Sequence, residues 1–127
     1  MSASLRNTIA WILQVLLGLF FIFAGFNKLR DMSATVNMFG NLGLPGLLAY
    51  VVGGAELLGG IGLLVPRLTR LAAMGLLIIM VGAVFMHATK IPGGLAGGIP
   101  ALVALILLGV LLWLRQPVTP GTTRTES

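Results

Sequence analysis

Long apolar segments constrain this chain more than any other feature of its sequence. Each has the length and composition of a helix that crosses a bilayer, and they lie at about residues 9–26, 45–65, 71–87 and 99–114. With 57% hydrophobic and 9% charged residues, the chain falls outside the composition of a soluble domain. We therefore predict an all-α, polytopic membrane protein: a compact four-transmembrane-helix bundle forming one domain over residues 1–115.

The segments between the predicted spans are short and distinct. Leu29, Met32, Val36 and Phe39 recur at helical spacing opposite polar residues, which predicts a short amphipathic helix in the headgroup region between spans 1 and 2. A Gly-rich stretch at 89–98 predicts a flexible connection before the last span. The tail at 116–127 is rich in Pro, Thr and Gly, so we expect it to be disordered and cytoplasmic.

The basic residues favour one orientation. The first apolar run follows Arg6 as in a signal peptide, but it is long and has no small-x-small cleavage pattern before Lys28, so we expect a retained span. Four spans place both termini on one side, which then carries more basic residues than the other: Arg6, Arg67, Arg70, Arg115 and Arg124 against Lys28, Arg30 and Lys90. This bias favours cytoplasmic termini, with Trp11 and Trp113 at the same interface.

Glycines recur seven residues apart in three of the spans, and the pairs are Gly18 with Gly25, Gly53 with Gly60, and Gly75 with Gly82. Small residues at helix contacts let backbones approach closely in lipid, so we predict that each pair marks a packing stripe. The alternative is coincidence, since the chain contains 18 glycines.

Glu56 is an acidic residue in apolar surroundings. A charge at this depth costs a few kcal/mol on insertion scales, about 2.5–3.5 at a helix centre. Glu56 lies three residues after Gly53 and four before Gly60, so it shares their stripe and is predicted to face another helix. It either takes part in function or is a structural carboxyl that fixes the register of the bundle.

Three other polar residues are predicted near Glu56. Lys28 falls on the stripe of Gly25, and His87 ends the third span, about 9 Å from Glu56 along the membrane normal. We predict a polar pocket that opens to the outer leaflet, with Glu56 at its base and Lys28, Asn27 and His87 near its mouth. Glu56 and His87 are candidates for proton transfer or hydrogen bonding, and Lys28 and Asn27 for binding a quinone at the mouth. Lys28 as an interfacial anchor and His87 as a headgroup-level residue remain alternatives.

Several classes of chemistry are excluded or unsupported. The chain has no cysteine, which excludes disulfides, thiol redox chemistry and thiolate-held iron–sulfur clusters within it. A single His excludes bis-His haem ligation by one copy, and one Glu with one His falls short of a metal site. The scattered basic residues do not form a nucleic-acid footprint. We expect no metal, no covalent cofactor and no nucleic-acid partner; Gln14 is expected only to form a helix–helix hydrogen bond.

Two motifs resemble those of DoxX-like membrane proteins. Phe21–Leu29 (FIFAGFNKL) is similar to the F-x-x-A-G-x-x-K-L pattern that closes the family's first span. Gly43-Leu44-Pro45 followed by Glu56–Gly60 is similar to its G-x-P…E-x-x-G-G pattern. The likeness covers residues 9–114 and implies a four-span inner-membrane (plasma-membrane) protein in a redox or stress context. Some such proteins are membrane subunits of quinone-linked oxidoreductases, including thiosulfate:quinone oxidoreductase.

Three hypotheses about function follow. The first is a membrane subunit that binds a quinone headgroup and works with a soluble or membrane redox partner, because the chain itself has no cofactor-binding motif. The second is a scaffold that recruits a soluble redox enzyme through the basic turn at Arg67 and Arg70. The third is a small proton-coupled transporter with Glu56 as the coupling carboxyl. Four short spans are few for a transporter, so a homo-oligomer would supply the additional helices.

Overall fold

The computed structural model describes residues 1–90 and 97–116, and within these ranges the chain is helical without a strand. Its helices are α1 (Ala3–Arg30), α2 (Met32–Asn41), α3 (Gly46–Leu64), α4 (Thr69–Thr89) and α5 (Ile99–Leu114). The predicted all-α class is therefore confirmed for the described residues. Most of the predicted Gly-rich connection and nearly all of the predicted disordered tail lie outside them.

Among the described residues, three helices are long and apolar enough to cross a membrane, namely α1, α3 and α4. The fourth predicted span is α5, an apolar helix of 16 residues. Helix α1 extends beyond the predicted span at both ends. It begins early because the Ser2 hydroxyl accepts a hydrogen bond from the backbone N–H of Leu5 at 3.1 Å, and it continues to Arg30, so Lys28 lies in its last turn.

Helix α2 follows α1 after a single residue and is fixed to its end. The Asp31 side chain caps α2 by accepting from the N–H of Ala34 at 3.2 Å. The Thr35 hydroxyl lies within hydrogen-bond distance of the carbonyl oxygens of Lys28 (2.9 Å) and Asp31 (3.0 Å). Thr35 and Phe39 are buried against the bundle. The placement of α2 in the headgroup region stays a prediction.

The closest helix contact joins α1 to α3 through glycines. A methyl carbon at Gly25 would lie 2.5 Å from the backbone nitrogen of Leu57 and 2.7 Å from the carbonyl oxygen of Gly53. At Gly60 it would lie 2.7 Å from the carbonyl oxygen of Gly18. Only glycine permits this approach. The predicted stripes on the first two spans are confirmed.

The prediction of a packing stripe at Gly75 and Gly82 is wrong for the part of the chain that the structure describes. A methyl carbon at Gly75 or Gly82 would meet no described atom within 4 Å. Heptad spacing places two residues on one face of a helix, but it does not decide whether that face meets a neighbour. The close contact between α3 and α4 instead uses Gly59, where a methyl carbon would lie 2.8 Å from Leu76.

The core fills the half of the bundle in which α1 begins and α5 ends. Helix α4 packs on α3 and on α5, and α5 returns to α1. The buried side chains of this core come from these four helices: Ala10, Leu13, Leu17, Phe21, Leu63, Ala73, Leu76, Met80, Ala104, Leu108, Leu111 and Leu114. Their burial fixes the relative positions of the helices in this half.

A polar cluster (Asn7, Gln14, Thr69 and Arg115) lies at the end of the same half, with Gln14 and Thr69 buried, Arg115 half-buried and Asn7 exposed. Gln14 is 1% exposed; its amide nitrogen donates to the carbonyl oxygen of Leu63 at 2.9 Å and lies 3.2 Å from the Thr69 hydroxyl. Its amide oxygen accepts from Nε of Arg115 at 2.8 Å. The predicted helix–helix hydrogen bond of Gln14 is confirmed. It belongs to a cluster that links α1 to the end of α3, the start of α4 and the end of α5.

Gln14→Leu is expected to lower the free energy of unfolding by about 1–3 kcal/mol, because Nε of Arg115 loses its acceptor and the carbonyl oxygen of Leu63 loses one of its two side-chain donors. Gln116→Leu makes the same chemical change at an exposed residue and should have little effect. Equilibrium unfolding in mixed micelles measures both. Equal stability of the two variants would contradict a stabilising role for the cluster.

Candidate functional site

An apolar cavity of about 660 Å³ occupies the half of the bundle that the core leaves open. Its walls come from α1, α3, α4 and the start of α5, and it is bordered by α2 and the turn that follows α2. Its apolar lining comprises Phe20, Ala24, Met38, Phe39, Leu42, Leu44, Leu48, Val52, Ile78, Ile79, Met80, Gly82, Ala83, Phe85, Met86, Gly97, Pro100 and Ala101. Lys28, Glu56 and His87 supply the polar side chains of the described wall.

Lys28 and Glu56 form an ion pair in this wall. Lys28 Nζ lies 2.7 Å from Glu56 Oε1, and the side chains are 27% and 4% exposed. The glycine contact explains the pairing, since a methyl carbon at Gly53 would lie 3.3 Å from Cβ of Lys28. The close approach of α1 and α3 at Gly25 and Gly53 therefore brings the next turn of α1 onto the face of α3 that carries Glu56.

The carboxylate has few other partners. Although Nζ is close to Oε1, no hydrogen bond of favourable geometry reaches this buried oxygen from the described residues. The ammonium of Lys28 therefore compensates the charge of Glu56 through proximity, without a well-directed hydrogen bond. A buried acceptor of this kind can still take a hydrogen bond from a donor that enters the cavity.

His87 lies half-buried in the same wall, near the end of α4. Its Nδ1 is 2.9 Å from the carbonyl oxygen of Ala83. A carbonyl oxygen only accepts, so Nδ1 carries a hydrogen in this contact. The side chain packs against the start of α5, where a methyl carbon at Gly98 would lie 2.8 Å from Cβ of His87.

The structure brings three of the four predicted site residues to one cavity. Lys28, Glu56 and His87 line it, whereas Asn27 is half-buried and does not. Their chemical roles stay predictions. Sequence reasoning missed the contribution of α2, whose Met38 and Phe39 border the cavity. The periodic apolar residues of α2 were the available signal.

The wall's charge balance constrains what the cavity can hold. Lys28 is the cation of the described lining and Glu56 is its anion, so the pair is neutral as a unit. Among the described residues, no group of three or more His, Asp or Glu could hold a metal ion. The cavity therefore suits an uncharged, mainly apolar molecule that carries hydrogen-bonding groups.

The two arginines of the predicted basic turn differ, since Arg67 lies between α3 and α4 and Arg70 lies in the first turn of α4. Arg70 is half-buried, and its NH1 donates to the carbonyl oxygen of Leu112 at 3.1 Å and lies 3.4 Å from that of Arg115. Arg67 is exposed. Of the two arginines predicted to form a contact surface, Arg70 is thus held against the end of α5 and Arg67 extends outward.

Comparison with known proteins identifies a family and a relative of this chain. The DoxX family model matches residues 9–89, which include Lys28, Glu56 and His87. The chain is 32% identical over 81 residues to the protein named "Putative oxidoreductase CatD" of Bacillus subtilis (strain 168). The alignment covers 64% of this chain and 60% of that relative, so it spans less than two thirds of the relative's length. No solved structure matches the chain.

Proposed function

The chain belongs to the DoxX family of membrane proteins, and from this premise we propose that it is a membrane subunit of a quinone-linked oxidoreductase that binds a quinone ring beside Lys28 and Glu56. The observation that carries the proposal is the ion pair at 2.7 Å in the wall of a mainly apolar cavity of about 660 Å³. The relative's name, an oxidoreductase, supports the same class of reaction.

The donor set of the cavity fits such a ligand. A quinone has carbonyl oxygens that accept hydrogen bonds, and it takes up two electrons and two protons when it is reduced to the quinol. Lys28, Glu56 and His87 line the cavity; in this proposal the Lys28 ammonium donates to a carbonyl oxygen, and Glu56 and His87 hold or move protons. The chain has no cysteine, and the described residues offer no metal site, so a redox partner supplies the electrons in this proposal.

The charge of the wall favours a neutral quinone over a small anion. An inorganic anion such as thiosulfate would need a cation that is free to bind it, whereas Lys28 is already paired with Glu56. Burying an uncompensated anion among apolar side chains is costly. In this proposal, any anionic substrate is therefore oxidised by the partner, and only the quinone enters the membrane subunit.

The same proposal includes four spans, an inner-membrane (plasma-membrane) location and cytoplasmic termini. Helix α5, with 16 residues, is about 24 Å long, which is short for a span but sufficient in a locally thinned bilayer. Trp11 and Trp113 support a shared interface, because the guanidinium of Arg115 lies 5.7 Å from the Trp11 ring and that of Arg6 lies 4.8 Å from the Trp113 ring. Indoles favour this level of the membrane.

Glu56→Gln tests the proton role. We expect the variant to remain folded and to retain quinone on purification, but to lose about 10²-fold or more of quinone turnover in the assembled complex, the usual contribution of a general acid or base. Asp31→Asn makes the same change at an exposed residue outside the cavity and should leave turnover unchanged. If Glu56→Gln turns over quinone at the wild-type rate, Glu56 has no role in proton transfer. If purified wild-type protein retains no quinone, the proposed quinone site is contradicted.

A scaffold that recruits a soluble redox enzyme is the second candidate, and the exposure of Arg67 favours it. Because Arg70 contacts the carbonyls at the end of α5, Arg67→Glu is the cleaner substitution. A pull-down measures whether the protein still captures its partner enzyme. If the Arg67→Glu variant captures the partner as well as wild-type protein does, the surface at Arg67 is not the contact. The transporter hypothesis gains no support from the described helices, none of which is broken within its bounds.

A further inference from the structure

A shallow groove of about 510 Å³ runs along α1, near the helix end that is remote from the cavity. Polar and aromatic side chains line its first part and aliphatic side chains the rest: Asn7, Thr8 and Trp11, then Ile12, Val15 and Leu16. From the first to the last of these residues α1 rises about 14 Å. The groove thus changes from polar to apolar along the helix axis, as a lipid does from headgroup to acyl chain.

Arg115 places a cation beside the polar part of the groove. Its NH1 donates to the side-chain oxygen of Asn7 at 2.9 Å, and its Nε donates to Gln14 at 2.8 Å. The guanidinium also lies over the Trp11 ring at 5.7 Å. A guanidinium has five N–H donors, and these contacts use two. The planar fork of the remaining donors matches the geometry of a phosphate.

No carboxylate competes for this cation among the described residues. The acidic side chains there are Asp31 and Glu56; Asp31 caps α2 at the other end of α1, and Glu56 is paired with Lys28. Arg6 lies near by, over the Trp113 ring at 4.8 Å. The Arg115 guanidinium thus borders the polar part of the groove through Asn7 and Trp11, and its charge complements an anionic headgroup.

We propose that this groove binds an anionic phospholipid. The headgroup phosphate accepts hydrogen bonds from Arg115 and from the side-chain amide of Asn7, whose oxygen already faces Arg115. One acyl chain lies along Ile12, Val15 and Leu16, which are all exposed. The site is separate from the cavity and does not depend on the function proposed for it.

Asn7→Asp is the most direct test, because it keeps the contact with Arg115 but neutralises the cation and repels a phosphate. Full-length protein is placed in micelles with equal amounts of phosphatidylglycerol and phosphatidylcholine of identical acyl chains, and native mass spectrometry measures the lipid retained. Wild-type protein should retain phosphatidylglycerol in excess. Asn7→Asp should lower this preference about fivefold or more, the effect of losing one basic group at an anionic surface.

Asn41→Asp is the matched control, since it adds the same charge at an exposed residue at the end of α2. It should retain the wild-type preference. Val15→Trp, which fills the apolar part without changing charge, should reduce retention of both lipids. The proposal is overturned if wild-type protein does not distinguish the two lipids, if Asn7→Asp retains the wild-type preference, or if Asn41→Asp loses as much of it as Asn7→Asp.

Discussion

Replacing Lys28 by methionine is expected to lower the free energy of unfolding by about 3–5 kcal/mol, the usual cost of removing one partner of a buried ion pair. The Glu56 side chain is 4% exposed and Lys28 Nζ is 2.7 Å from its Oε1. Without Lys28 the buried carboxylate has neither a counter-charge nor a well-directed hydrogen bond from the described residues. Equilibrium unfolding in mixed micelles measures the effect.

Substitution of the other partner of the ion pair provides the control. Glu56→Gln should cost much less, because the Lys28 side chain is 27% exposed and its long stem can carry the ammonium to the surface. The double variant Lys28→Met with Glu56→Gln should recover much of the stability lost in Lys28→Met alone, since it removes both charges. If Lys28→Met is no less stable than Glu56→Gln, Lys28 does not compensate the buried carboxylate.

Gly25→Ala is expected to destabilise the protein by about 3 kcal/mol, at the upper end of the usual cost of overpacking. The added carbon would lie 2.5 Å from the backbone nitrogen of Leu57 and 2.7 Å from the carbonyl oxygen of Gly53. These are main-chain atoms of α3, so the strain cannot be relieved by a change of rotamer. It can be relieved only by separating α1 from α3, which would also disturb the Lys28–Glu56 pair.

Gly75→Ala is the matched control for this effect. Both glycines lie within helices, but a carbon at Gly75 would meet no described atom within 4 Å. The free energy of unfolding of the Gly75→Ala variant should stay the same or rise by up to about 1 kcal/mol, because alanine has a higher helix propensity than glycine. Thermal unfolding followed by circular dichroism compares the two variants directly. Equal stability would mean that the α1–α3 contact is looser than its geometry indicates.

The positions of the long helices could be predicted from the sequence, because a long apolar segment in lipid satisfies its backbone hydrogen bonds by forming a helix. The bounds of α1 could not, since the Ser2 cap and the charged residues near Arg30 continue the helix beyond the apolar run. The glycine pairs on α1 and α3 were predicted correctly. The pair on α4 was not, because spacing identifies a face but not its neighbour.

The candidate site was predicted in outline. Glu56 shares the stripe of Gly53, which indicated that its carboxylate faces another helix. The short distance between Glu56 and His87 along the membrane normal indicated that both residues lie near one pocket. The direct pairing with Lys28 depends on how closely α1 approaches α3, which the sequence does not specify. The polar cluster around Gln14 was even less predictable, because Arg115 is 101 positions away in the chain.

The open space at Gly82 offers a way to alter ligand selectivity. Gly82 lines the cavity, and a side-chain carbon there would meet no described atom within 4 Å. A larger residue at this position would therefore reduce the cavity volume without disturbing the α1–α3 glycine contact or the Lys28–Glu56 pair. If the cavity holds the proposed quinone, the size of ligand that it accepts and the stability of the bundle therefore depend on different residues of this chain.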